Sequence, residues 1–165
     1  MAMTTLTNAE VTKIYSDANM FNLGQQVEDA MGNTFEFVKY NEADGLADAV
    51  AGYIAVGLDS GFPDGEVTAD VDSTGVTAWV QDVRGIFMAA LTDEDYGFVQ
   101  KTGRNRIAML SDGTVAAGNR LTAHTTTTGA VKPKVAATAA DIGVALEADA
   151  ATVLAVGSVR LTIGV

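Results

Sequence analysis

The stretch YGFVQKTGRNRIAMLSDGTVAAGNRLTAHTTTTGAVKPK, residues 96–134, decides the fold class. Read at a period of two, Tyr96, Phe98 and Gln100 point one way while Gly97, Val99 and Lys101 point the other, and residues 107–110 follow as a short apolar strand. Asp112-Gly113 reads as a turn, and a second strand follows it. The threonine-rich run after that strand reads as an exposed ribbon that carries His124. No helical period runs through the stretch, so the chain is expected to be all-β, with a small β-barrel or β-sandwich body, an extended N-terminal arm and little helix.

The flanking sequence extends this pattern in both directions. Towards the C-terminus, residues 142–148, IGVALEA, and residues 158–165 read as strands, with Gly143 marking a bulge or a close backbone approach. Towards the N-terminus, residues 34–40, TFEFVKY, alternate, and Met31-Gly32-Asn33 before them reads as the turn of a hairpin. Val67, Ala69 and Val71 alternate, as do Val76, Ala78 and Val80, which makes a second hairpin around the turn at residues 72–75. Residues 82–91, DVRGIFMAAL, suit a buried strand or a short helix, and periodicity does not choose between them. Residues 1–22 read as a polar arm with a weak helical start at Asn8, a candidate N-cap. About eight to ten short strands at roughly 8–12-residue spacing are the pattern of a sandwich or barrel. The expected division is an arm and hairpin over residues 1–40 and a β-body over 41–165.

Composition narrows the function classes. The chain has 165 residues and no cysteine, which excludes a disulfide framework, a thiolate metal site and a cysteine nucleophile. Its apolar content is largely alanine and valine, with one Trp and six Phe, so the core is expected to be thin and to lean on neighbouring subunits. The N-terminal residues lack the basic start and apolar run of a signal peptide, and no apolar run reaches the ~20 residues of a membrane span. No export and no membrane partner are expected.

Charge is unevenly spread. The net charge is -11, but residues 1–100 hold 17 acids against 3 bases and residues 101–165 hold 4 acids against 7 bases. Such a chain does not wrap a phosphate backbone, and no nucleic-acid partner is expected. The basic part is expected to meet an acidic surface, its own or a neighbour's. Lys101, Arg104 and Arg106 form a basic elbow, joined further along by Arg120, Lys132 and Lys134. Their expected partners are the acids of the turn at Asp93, Glu94 and Asp95, or an acidic neighbour.

Candidate chemistry is sparse. Asp70, Asp72 and Gly75 match the opening of a calcium loop, but the twelfth position is Gln81, which cannot give a bidentate carboxylate. An acidic β-turn is the favoured reading. Asp93, Glu94 and Asp95 are consecutive and cannot converge from one strand face, so they read as a solvated turn. His124 is the single histidine and has no companion ligand in the sequence. No nucleophile, zinc, phosphate-loop or dinucleotide motif is present, so neither an enzyme nor a cofactor is expected.

Several of these stretches together carry a resemblance. They are Leu23-Gly24 with residues 34–39, then YGFVQKTG at 96–103, DGTVAAGNRL at 112–121 and IGVALEA at 142–148. In this order the chain resembles the small all-β head decoration, or capsid cement, proteins of tailed bacteriophages, over most of residues 23–165. Phe98 stands where that family commonly has Trp, and Asn119 where it commonly has Asp. The resemblance implies a non-enzymatic virion protein on the capsid exterior, assembled in the host cytoplasm. It also implies a homotrimer that clamps major capsid protein subunits. Interface residues are then expected among Lys101, Arg104, Arg106, Asp93, Glu94, Asp95, Phe35 and Phe37, with the arm hooking onto a neighbour and dispensable for folding. A fibre or glycan-binding β-module is the alternative, with Tyr53, Trp79 and Tyr96 as the aromatic candidates.

Overall fold

The computed structural model describes residues 5–42, 48–57, 65–69, 82–110, 115–124, 127–135, 141–148 and 155–163. The turn at residues 72–75 and the second strand of the hairpin expected there, the acidic run opening at Asp70, Trp79 and the turn at Asp112-Gly113 lie outside the described residues. The fold class is all-β, as the alternation implies, and the body is two closed barrels of five strands each.

The first barrel grows from the hairpin of β2 (Gln26–Asp29) and β3 (Thr34–Tyr40), with the two-residue β1 (Thr5–Leu6) paired parallel to β2 outside the ring. Its turn is tied by Asp29, whose Oδ1 accepts the N–H groups of Met31 and Asn33 at 2.8 and 2.9 Å. Gly32 takes φ 80°, a conformation that glycine reaches without a Cβ penalty. One edge of β3 is shared by β2 and β5 (Glu66–Thr68), and its other edge pairs with β7 (Tyr96–Gln100). With β4 (Ile54–Gly57) and β6 (Val83–Phe87) between β5 and β7, the ring closes in the order β3-β5-β4-β6-β7. The undecided run at 82–91 is thus strand over Val83–Phe87. Val38, Tyr40, Ala55, Val67, Phe87 and Val99 fill the interior, so every strand of the ring contributes.

The second barrel is β8 (Thr102–Leu110), β9 (Arg120–Ala123), β10 (Val131–Pro133), β11 (Gly143–Ala145) and β12 (Ala155–Thr162), closed in the order β10-β8-β12-β11-β9. The short apolar strand expected at 107–110 is therefore only the end of a nine-residue strand, and the basic elbow itself is extended backbone. The chain crosses between barrels at Lys101, whose N–H donates to Thr34 O at 2.9 Å and whose carbonyl accepts the N–H of Ile163 at 3.1 Å.

The two barrels share one core. Ile54, Val56, Val83 and Ile86 on the outside of the first barrel pack into one cluster with Leu110, Leu121, Val131, Val159 and Leu161 inside the second. A bulge makes this possible: the register of β4 on β6 shifts between Ala55 and Val56, so Val83 and Ile86, three apart, present to the same side.

Residues 5–22 lie along the first barrel. A one-turn helix, α1 (Asn8–Val11), starts after Thr7, which takes the cap position expected of Asn8. Thr7 N–H and Oγ1–H both donate to Glu10 Oε2, at 2.7 and 2.6 Å. Tyr15 then bridges to Tyr96, exchanging N–H···O bonds of 2.8 and 2.9 Å. Leu6, Val11, Tyr15 and Phe21 are buried against Val27, Phe35, Phe37 and Phe98. Within the expected arm and hairpin at 1–40, β3 is a strand of the first barrel beside strands of the expected body at 41–165, and residues 6–21 cover that barrel's outer face.

Candidate interaction surface

The eight expected interface residues fall into three settings. Phe35 and Phe37 are 2% and 0% exposed, which corrects their assignment to an interface. They alternate outward from the first barrel, but that outer face is covered: Tyr15 packs edge-on to Phe37 at 5.6 Å between centroids and to Phe98 at 6.1 Å, and Phe37 lies 5.1 Å from its cross-strand partner Phe98. Alternation tells which side a residue faces and is silent about whether a distant segment covers that side.

Asp93, Glu94 and Asp95 form the solvated turn, and each carboxylate serves a different local donor. Asp93 Oδ1 accepts Glu42 N–H at 3.0 Å, Asp95 Oδ2 accepts Thr92 N–H at 2.9 Å, and Glu94 Oε2 meets Lys39 Nζ at 2.7 Å. Glu94 sits at φ 69°, a left-handed position in a tight turn. Lys39 also approaches the buried Glu66 at 3.5 Å. The Glu94 hydrogen bond holds the Lys39 ammonium above its ordinary pKa.

The basic elbow does not pair with this turn, and here the expectation is corrected. Lys101 turns back to the mouth of the first barrel, where its Nζ lies 2.7 Å from Glu36 Oε2. Glu36 Oε1 is 3.6 Å from Arg84 Nη1, and Arg84 Nη2 is 3.0 Å from Asp82 Oδ2, so four charges alternate in sign along one chain of contacts. Arg104 is exposed and reaches Glu147 only at 3.8 Å. Arg106 is exposed and makes no ion pair among the described residues. Arg120 and Lys134 both reach Asp141, the latter at 3.9 Å.

Reading the sequence missed two residues that organise this surface. Glu36 stands between two phenylalanines on β3 and is 2% exposed; its place beside Lys101 depends on pairing across 65 residues of chain. Arg160 on β12 lies directly across from Arg104 on β8, a juxtaposition that only the register of the second barrel creates.

His124 is buried rather than exposed, and its Nδ1 accepts the N–H of Thr127 at 3.0 Å. Tyr96 stacks on Phe37 with centroids 6.0 Å apart, and Tyr53 is half-buried against the core of the first barrel. Neither is a free aromatic platform for a sugar. Among the described residues, no three His, Asp or Glu side chains gather as a metal site would require.

No protein-family model matches the chain, and no curated protein matches it either.

Proposed function

We propose that the chain is a structural virion protein, a cement protein that binds the outside of a phage head and stabilises it by bridging major capsid subunits, acting as a homotrimer. The observation that supports this reading most directly is how two of the resemblance-bearing stretches meet. The AAGNRL turn and the IGVALEA strand clasp each other: Gly118 N–H donates to Ala145 O and Ala145 N–H donates to Asn119 O, each at 2.9 Å. Asn119 Oδ1 accepts the N–H of Ala116 at 2.8 Å. That role needs only an acceptor oxygen, so the family's usual Asp would serve the turn equally well. The other departure, Phe98, sits fully buried in an aromatic cluster, where its task is to fill space.

The charge distribution is compatible with docking. A first barrel built from the acid-rich part of the chain is fused to a second whose arginines stand outward, and such asymmetry favours oriented association with a complementary surface. The test is to mix the purified protein with expanded phage heads that lack their decoration protein and to follow co-sedimentation, with the oligomeric state measured by sedimentation equilibrium. Binding that saturates at a fixed ratio to capsid subunits, by a trimer, supports the proposal. A monomer that leaves every head bare overturns it.

A further inference from the structure

A groove of about 900 Å³ lies between the β2–β3 turn and the outer wall of the second barrel. Arg104, Arg106 and Arg160 line one wall, and Asp29, Met31 and Asn33 line the other. Asn33 holds the walls together, since its Oδ1 accepts the backbone N–H of Arg104 at 3.2 Å.

Among the described residues, the three arginines are grouped with a single ion pair, the long and exposed contact of Arg104 with Glu147. Arg104 and Arg160 are cross-strand partners, and like charges directly opposite one another weaken a sheet. The single carboxylate on the facing wall, Asp29, is committed to its own turn, accepting from Met31, from Asn33 N–H and from Asn33 Nδ2. Glu147 is 3.8 Å from Arg104, with both side chains more than half exposed. Arg106 and Arg160 have no ion pair among the described residues. The polar floor is already satisfied: Asn105 Nδ2 donates to Gln100 Oε1 at 3.0 Å, and Gln100 Nε2 donates to Thr102 O at 3.0 Å. Unused donor capacity in the groove is therefore concentrated in the guanidinium groups.

We infer that this groove binds an extended acidic segment of a partner polypeptide, with its carboxylates on Arg104, Arg106 and Arg160. The planar fork of a guanidinium matches a carboxylate in two parallel hydrogen bonds. Arg104 and Arg106 are two residues apart on one strand, a spacing of roughly 6.6 Å that alternate side chains of an extended peptide share. Nucleic acid is disfavoured, because a strand of phosphates long enough to bind would continue past Asp29 and along an acid-rich barrel. The inference does not depend on the virion reading; a protein that binds no phage head would still bind the peptide.

The experiment uses the full chain and a fluorescein-labelled seven-residue peptide of alternating Glu and Val, followed by anisotropy at low salt. The comparison probes are the same peptide with Gln for Glu and a ten-nucleotide single strand. Arg106→Gln is expected to weaken peptide binding several-fold. The triple change Arg104→Gln, Arg106→Gln and Arg160→Gln should weaken it by more than about tenfold. Arg120→Gln, outside the groove, is expected to leave binding unchanged. Raising the salt should weaken binding of the acidic peptide. Equal affinity for the Gln peptide, tighter binding of the oligonucleotide, no binding of the acidic peptide at millimolar concentration, or indifference to Arg106→Gln in a folded variant would each overturn the inference.

Discussion

Lys101 Nζ lies 2.7 Å from Glu36 Oε2, and the carboxylate it meets is only 3% exposed. The residue that carries the chain from one barrel to the other thus also closes the mouth of the first. Removing one member of a buried ion pair leaves the other charge desolvated, which costs about 3–5 kcal/mol when burial is complete. Arg84 at 3.6 Å and the partial exposure of Lys101 reduce that cost. Lys101→Met is expected to destabilise by about 1–3 kcal/mol, and adding Glu36→Leu should recover much of the loss. Urea denaturation of the two single variants and the double variant checks this; strictly additive losses would show that the pair is not coupled.

The N-terminal segment is expected to be part of the fold. Phe21→Ala removes a ring that sits 5.1 Å from Phe98 and 5.2 Å from Phe37, and it should cost about 3 kcal/mol. Deleting residues 1–22 removes Tyr15 as well and should lower the thermal transition markedly. An unchanged transition would return the segment to the role of a separate arm.

Gly52 marks the seam between barrels. It has φ 96°, and a Cβ there would fall on the carbonyl oxygen of Ile107. Neither backbone can yield without moving one barrel, since Gly52 O accepts the N–H of Met109 at 2.9 Å. Gly52→Ala is expected to destabilise by more than about 1–3 kcal/mol. Gly118→Ala, also at positive φ but in open space, isolates the backbone term and should cost less.

Two groups make the first barrel sensitive to alkali. The Glu94 hydrogen bond raises the pKa of Lys39, and burial raises that of Tyr15. For both, the folded protein binds the proton more tightly than the unfolded chain does. Their contribution is therefore complete below the ordinary values near 10 and is lost as pH rises through the folded values. Stability measured between pH 8 and 11 should fall above about pH 10, less steeply in Tyr15→Phe. An equally steep fall in that variant would remove Tyr15 as a cause.

Asn119→Asp should leave stability within about 0.5 kcal/mol, because the acceptor to Ala116 N–H is kept, whereas Asn119→Leu should cost about 1 kcal/mol. Thermal denaturation of the two variants side by side distinguishes them. Equal losses would mean that the side-chain acceptor does not hold this turn.

Local chemistry made the β2–β3 hairpin and β7 legible, because Asp29, Gly32 and the alternating aromatics act within a few residues of each other. It did not reveal the full length of β8, whose first half, Thr102 to Arg106, is polar. Its inward residue Asn105 is buried yet reads as solvent-facing, since its partner Gln100 becomes a neighbour only once the chain has turned at Lys101. The same limit hid the surface. Arg104 and Arg106 were visible as a basic pair, but Glu36, Asn33 and Arg160 join them through strand pairing across tens of residues.

The shared core has a consequence for synthesis. When residues 1–100 have left the ribosome, the first barrel has all of its strands, yet Ile54, Val56, Val83 and Ile86 face water until the second barrel arrives. That barrel closes only when β12 pairs along β8, and β12 is made after every other strand of the two barrels. A premature stop before β12 would thus leave both barrels with bare apolar surface, so quality control by chaperones and proteases is expected to discriminate sharply between chains that carry this strand and chains that lack it.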